Sequence, residues 1–377
     1  MADLSQKYKL LKGLCNGEYA RTGPFFVTLD LTRRCNLHCL GCRFHSKEAE
    51  EPLTGDQEIR DFPFGWAERL FSELSQLNTR TMFFMGEGEP FIYPRIFDIF
   101  RLAKDYGFYT TVTTNGTLID ETKAERVIDA GLDEMHVSLW TDSREDYAIQ
   151  YSGTDPENLQ RVIDGMRILS SLKKEKGSQT PRIVLTNPIN RFNHQKVDVM
   201  FTLAKEIGCD AISYTPFKTN RGKLARYALS EDQQKDLCHH MIGLRKQIRT
   251  NSLGDNIRRL LARYRFNPAS HEVPCYIHWF HSRIKVDGSV LSCGRSERIL
   301  GSLKTESFTD IWNGNAYCME RRKMLSPSGV TYRNEICDCE HCSFVEDNMA
   351  IHRRVKYLIP VLSFLKGGHR RGPNAVS

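Results

Sequence analysis

Apolar residues in this chain gather into short blocks of two kinds. β-prone blocks occur at Thr81–Phe84, Tyr109–Thr113, Glu134–Trp140, Arg182–Asn187 and Asp210–Thr215, after an earlier one in PFFVTLDLT (Pro24–Thr32), six in all. Between them lie longer stretches with apolar positions at helical spacing, such as Ile96–Tyr106 and Glu121–Ala130. A helix over Leu4–Leu14 precedes the series. This alternation predicts parallel βαβ units with right-handed crossovers, in a sheet whose C-terminal strand ends carry the site. Those ends read DLTRRC, FMGEGEP, TTNGT, SLWTD, LTNPIN and YTPFKTNRG, where polar and glycine-rich residues replace apolar ones.

The pattern breaks after Phe217. A connector with a long charged helix follows over Arg221–Phe266, and from Cys275 the cysteines return in a small irregular region. The expected division is an N-terminal helix (1–23), an α/β barrel segment (24–220), a helical connector (221–274), a cysteine-bearing domain (275–345) and a basic tail (346–377). No repeat or low-complexity stretch interrupts it. The tail, HRRVKYLIPVLSFLKGGHRRG, mixes cations with apolar residues. It is expected to dock against the Tyr8–Leu14 helix; a helix lying on a membrane surface is the alternative, which Pro360 interrupts.

Composition adds two constraints. The chain of 377 residues is 40% hydrophobic and carries a net charge of +7, but Arg353, Arg354, Lys356, Lys366, Arg370 and Arg371 lie beyond Met349 with no acidic residue among them. The rest is close to neutral, which argues against nucleic-acid binding. Met1–Gly17 is too polar for a signal peptide and no apolar run is long enough to span a membrane, so a cytoplasmic location is expected. In that reducing setting the twelve cysteines read as metal ligands or redox groups rather than disulfides.

Two cysteine clusters stand out. Cys35, Cys39 and Cys42 in DLTRRCNLHCLGCRF supply three thiols from one loop, which suits an iron–sulfur cluster with one iron left open. A zinc knuckle completed by His38 or His45 is the alternative. Further on come Cys275, Cys293, Cys339 and Cys342. Gly288 lies five positions before Cys293, where a hairpin can return that thiol beside Cys275. Four thiolates there suit a complete cluster or a zinc ribbon, with Cys337 competing against Cys339. Cys15, Cys209, Cys238 and Cys318 read as packing, with a hydrogen-donating thiol the alternative.

With these residues in view, the chain resembles the radical SAM superfamily, whose signature is Cys-x-x-x-Cys-x-x-Cys on the loop after the first barrel strand. The resemblance implies an α/β fold: a partial (β/α)6 TIM-like barrel of the radical SAM type, followed by a small α+β domain of the SPASM or twitch kind. Gly86, Glu87, Gly88, Glu89 and Pro90 in GEGEP stand where the family receives the methionine amino group of S-adenosylmethionine. Asn115 and Ser138 occupy strand ends that line the methionine and ribose in the family, and Thr186 and Asn187 in LTNPIN are placed similarly. Family members often carry a bulky residue just before the third cysteine; here it is Gly41, and Phe44 is the substitute for packing the adenine.

The implied cofactors are S-adenosylmethionine and two [4Fe-4S] clusters, one held by Cys35, Cys39 and Cys42 and one auxiliary cluster held by Cys275, Cys293, Cys339 and Cys342. The implied chemistry is cleavage of the cofactor to a 5′-deoxyadenosyl radical that abstracts hydrogen from substrate, with an electron donor such as flavodoxin or ferredoxin. An auxiliary cluster that accepts an electron points to two-electron dehydrogenation of a small molecule such as a sugar or cyclitol. The twitch member that oxidises an amino-cyclitol shows the same cysteine order. Asp142, Tyr214, Lys218 and Arg221 are the candidate bases at the barrel mouth. Epimerisation and peptide modification are the alternatives; the latter often uses a leader-binding module, for which the two dozen or so residues before the first strand leave no room. A zinc-ribbon binding module is the non-enzymatic alternative.

Overall fold

The computed structural model describes residues 4–49, 58–217, 223–248, 252–264, 273–294, 296, 298–326, 329, 342 and 344–357. Six strands form a continuous parallel series: β1 (Phe26–Asp30), β2 (Thr81–Met85), β3 (Tyr109–Thr114), β4 (Glu134–Ser138), β5 (Arg182–Ile189) and β6 (Ala211–Pro216), each bonded to the next in chain order. α1 (Leu4–Asn16) leads in, and α2 (Phe64–Gln76), α3 (Ile96–Asp105), α4 (Glu121–Asp129), α5 (Arg144–Gln150), α6 (Asn158–Glu175) and α7 (Val197–Ile207) fill the crossovers. Each β-prone block of the sequence is therefore a strand, though β4 ends at Ser138 rather than Trp140. There Trp140 turns its backbone N–H to the Tyr151 hydroxyl, at 3.2 Å, which ends the ladder.

The two-residue alternation sorts each strand into two faces. Val27, Leu29, Met82, Phe84, Val112, Met135, Val137, Ile183, Leu185 and Ile212 are buried on the helical side. Phe84 there meets Phe71 and Phe100 at 6.4 and 5.5 Å between ring centres. The registered neighbours on the other face are Thr28, Asp30, Phe83, Met85, Thr111, Thr113, Glu134, His136, Ser138, Val184, Thr186, Ser213 and Thr215. This second face lines the barrel interior, and most of it is polar.

The connector holds α8 (Glu231–Gln247), a two-residue strand β7 (Gly254–Asp255) beside β6, and α9 (Ile257–Tyr264). Helix α8 starts at Ser230 in a capping box with Gln233, which satisfies two orphan backbone donors at once. After Cys275, β8 (His281–Ile284), β9 (Ser289–Leu291) and β10 (Gly301–Ser302) add to the same sheet, giving the order β10-β9-β8-β1-β2-β3-β4-β5-β6-β7. Because β8 runs parallel to β1, the C-terminal domain continues the barrel sheet along its open edge. Its helices among the described residues are α10 (Phe308–Trp312), α11 (Asn315–Leu325) and α12 (Val345–Val355). No helix among the described residues is long and apolar enough to cross a membrane.

Candidate functional site

The loop after β1 gathers Cys35, Cys39 and Cys42, all half-buried and packed closely enough to repel one another as thiolates. Backbone N–H groups point at sulfur: Cys42 Sγ accepts from His45 at 3.3 Å. Burial pushes all three thiols up, Cys35 to about 11. Three crowded thiols with amide donors directed at sulfur match the ligand set of an iron–sulfur cluster, whose iron would stabilise the thiolate forms. The loop is pinned from three sides. Leu40 N–H donates to Gln150 O at 2.8 Å, the His45 ring bonds Glu87 O at 2.7 Å, and Asn36 Oδ1 accepts from Asn115 at 2.9 Å.

Beneath it lies GEGEP. A Cβ on Gly88 would sit 2.2 Å from Arg34 O, and one on Gly86, whose φ is +138°, would sit 2.4 Å from Asp30 Oδ1. Only glycine permits that approach. Glu89 is buried and accepts three bonds, from Thr114 Oγ1 at 2.6 Å, Asn115 N at 2.7 Å and Phe91 N at 3.0 Å. Burial nevertheless holds its carboxyl above the ordinary range. Pro90 opens the short 3-10 turn Pro90–Ile92 that closes the loop. Glu87 is directed elsewhere: its carboxylate meets Arg33 at 2.7 Å and Lys285 at 3.1 Å, and Arg33 also reaches Asp287 at 3.2 Å. Next to this group Arg283 holds Asp30 at 2.6 Å. Burial pushes the Asp30 carboxyl up to about 6, with Arg283 opposing. These buried charges join the cysteine loop and GEGEP to the β8–β9 hairpin.

The remaining expected site residues divide. Asn115 clips the cysteine loop, and Ser138 Oγ accepts from Trp140 Nε1 at 2.9 Å. Phe44 is half-buried beside the Arg43 guanidinium, 5.3 Å from its ring centre. The ring above Gly41 is another one: a Cβ on Gly41 would fall 1.9 Å from Phe217 Cζ. Phe217 follows β6 and packs edge-on to Trp140 at 5.9 Å, so it covers the space the missing side chain leaves. Asp142 lies 3.9 Å from Lys196, which also pairs with Asp146. Tyr214, expected at the mouth, and Asn187, expected to line the cofactor, are both turned away from the barrel interior. Tyr214 and Asn187 are register partners on the helical face. The Tyr214 hydroxyl donates to Val197 O at 2.5 Å and Asn187 Nδ2 to Leu139 O at 2.9 Å, because strand parity points both side chains outward. Lys218 and Arg221 lie outside the described residues.

In the C-terminal domain the β8–β9 hairpin turns at Gly288, with φ +81°, and brings Cys293 into one buried cluster with Cys275. Phe26 and Phe344 pack against that cluster. Asn348 Nδ2 approaches Cys275 Sγ at 3.8 Å and Phe344 N–H donates to Cys342 Sγ at 3.3 Å, again directing N–H groups at sulfur. Cys337 and Cys339 lie outside the described residues. The two thiols gathered there, with Phe344 of the Cys342 segment packed on them, are the described part of the ligand set a second cluster would use.

The family model of the radical SAM superfamily matches residues 29–191, and that of the SPASM iron–sulfur cluster-binding domain matches residues 275–343. The chain belongs to the radical SAM superfamily. Its cofactors are accordingly S-adenosylmethionine and two [4Fe-4S] clusters. This radical SAM chain is 24% identical over 335 residues to an AdoMet-dependent heme synthase of Methanosarcina barkeri, covering 84% of the chain and 88% of that relative. It is 25% identical over 300 residues to the PqqA peptide cyclase of Gluconobacter oxydans, covering 77% and 76%. In fold it is similar to Streptococcus suis SuiB bound to precursor peptide SuiA, with a TM-score of 0.63 at 16% identity, over 85% of this chain and 71% of that one.

Sequence reading overlooked three features of the site. Arg33 and Lys285 carry no motif, and the Gly41–Phe217 pair joins residues far apart in the chain. A third was legible: Glu134, His136 and Ser138 alternate with Met135 and Val137, the mark of a polar strand face turned inward.

Proposed function

We propose that this radical SAM enzyme modifies a peptide, taking a hydrogen atom from a side-chain carbon held in the barrel and joining or oxidising the carbon so activated. The observation that carries this reading is the similarity to the PqqA peptide cyclase, which extends over three quarters of both chains. Dehydrogenation of a small sugar or cyclitol, the reaction first expected, gives way in this reading to peptide chemistry.

When bound, S-adenosylmethionine at the reduced cluster supplies one-electron cleavage that removes hydrogen from carbon. The chain's own part is placement. Gly88 brings backbone close to the cysteine loop and Gly86 lets it pass the Asp30 side chain, Asn115 and Ser138 present polar atoms at the strand ends, and Phe217 covers Gly41 of the cysteine loop from the β6 side. The inner face of β1–β6 then forms the chamber wall, where excluding water protects a reactive carbon. Release of an electron to the C-terminal domain makes the net change oxidative; flavodoxin or ferredoxin in a reducing cytoplasm is the matching electron source for the first step.

The test is anaerobic turnover of the reconstituted enzyme with deuterated short peptides encoded beside its gene, following deuterium into 5′-deoxyadenosine and the mass of the peptide. Deuterium transfer with loss of two hydrogens from the peptide is expected. Transfer only from a small alcohol or a tetrapyrrole, with every peptide silent, refutes the reading.

A further inference from the structure

Five polar side chains stand along one wall of the barrel interior, from Thr186, expected above beside the cofactor, to Tyr109 and Arg182 at the opposite strand ends. Thr186 Oγ1 lies 3.0 Å from His136 Nδ1, and His136 Nε2 lies 2.5 Å from Glu134 Oε1. Beyond them the Tyr109 hydroxyl donates to Glu134 Oε2 at 3.3 Å, and Arg182 Nη1 donates to the same oxygen at 3.2 Å. Thr186 is the register partner of Ser138, at the C-terminal end of β4 where the cofactor residues gather. Glu134 begins β4, and Tyr109, which begins β3, is 44% exposed. The line therefore runs the length of a strand, on the order of 13 Å at the usual rise per residue, from the reacting end of the chamber to solvent at its base.

We infer that Thr186, His136 and Glu134 form a proton relay that carries the proton released by substrate out of the chamber. A hydroxyl, an imidazole and a carboxylate in sequence are the parts of a general-base chain, the carboxylate fixing the ring and the ring drawing on the hydroxyl. Glu134 suits the fixing role. Burial pushes its carboxyl up, but the bonds from His136 and Arg182 outweigh that and hold it below the ordinary range. As a carboxylate it accepts the Nε2–H of His136, which leaves Nδ1 free to accept from Thr186. The charged groups around the ring are Glu134 on its own strand and Arg182 on β5, with the Tyr109 hydroxyl on β3.

Each transfer balances. Once a hydrogen atom has left the substrate carbon, loss of one electron to an iron–sulfur cluster also frees one proton from a substrate heteroatom. Thr186 Oγ1 takes that proton as its own hydroxyl hydrogen moves to His136 Nδ1. The Nε2 proton then passes to Glu134 and on to water beside Tyr109, which leaves the ring as its Nδ1–H tautomer; once product has left, exchange of both ring protons with entering water resets the Nε2–H form. The inference rests on oxidative hydrogen abstraction as proposed above and does not require the substrate to be a peptide.

Two measurements test it. In cofactor-free protein labelled with 15N-histidine, His136 should be the neutral Nε2–H tautomer at pH 7, and Glu134→Gln should shift that signal. An imidazolium, or an Nδ1–H tautomer, overturns the relay. This measurement uses no substrate, so it stands even if the peptide assay fails. In the holoenzyme, with the compound that passes deuterium to 5′-deoxyadenosine, His136→Gln should lower product formation about a hundredfold while 5′-deoxyadenosine forms within about twofold of wild type, and Thr186→Val should lower product formation as far while Thr186→Ser recovers it. Parallel loss of both products, or equal failure of Thr186→Ser and Thr186→Val in variants that keep their iron and melting temperature, marks a structural network and overturns the relay.

Discussion

Replacing Arg33 with methionine keeps most of the side-chain volume and removes one charge from the group that locks the cysteine loop to the C-terminal domain. The Arg33 side chain is 3% exposed and that of Glu87 fully buried, with 2.7 Å between Nε and Oε2. The wild-type group balances Arg33 and Lys285 against Glu87 and Asp287. Without Arg33, two buried carboxylates share one ammonium. Two unit charges about 4 Å apart in a medium of effective dielectric about 20 interact by about 4 kcal/mol, and breaking a buried pair costs about 3–5 kcal/mol. We therefore expect Arg33→Met to lose about 4 kcal/mol, a fall of about 5 °C in melting temperature for a chain of this size. Glu87→Gln added to it should recover about half, because it removes the stranded charge. Urea unfolding of the four proteins of this double-mutant cycle gives the coupling directly. A loss under about 1 kcal/mol for Arg33→Met, or no recovery in the double variant, would refute the reasoning that burial makes this pair costly to break.

Other outcomes follow from the same geometry. Gly41→Ala should lower iron loading at the first cluster because its Cβ would meet Phe217 Cζ at 1.9 Å; adding Phe217→Ala should restore loading, while that change alone costs about 3–5 kcal/mol of stability. Serine at Cys35, Cys39 and Cys42 together should drop iron from roughly eight to roughly four atoms per chain and abolish 5′-deoxyadenosine formation. Burial drives His281, bonded to Thr28 and Ser292, down to about 3, so it is neutral when folded. The unfolded chain binds that proton near pH 6.5 and the folded chain does not. Stability should thus be full above pH 6.5, fall as pH drops toward about 3, and fall less steeply in His281→Gln, as read from urea midpoints at pH 7, 6 and 5.

The first strand, its cysteine loop and the alternation that follows were legible because each is written locally: a two-residue or helical period, a turn glycine, a fixed thiol spacing. The wall residues were not equally legible. Tyr214 sits in a strand end that reads like the others, yet it faces helix α7, since its parity counts from a strand start that tertiary pairing sets. A shift of one residue in that pairing reverses every side chain. Glu87 lies inside a motif read as a cofactor cradle, but its partners Arg33 and Lys285 come from the loop after β1 and from the turn after β8, distant segments of the sequence.

By itself the sequence determined the chemistry available: three thiols in one loop, more thiols after Cys275, and six strands to set them on, all of it carried by short-range spacing. Only the tertiary structure decided which neighbours each group meets. Joining β8 to β1 placed a buried ion cluster beneath the cysteine loop, Phe217 came to lie over Gly41, and parity turned Glu134, His136 and Thr186 onto one inner wall. These contacts depend on burial and on register across distant segments, and neither is a property of any stretch of chain taken alone.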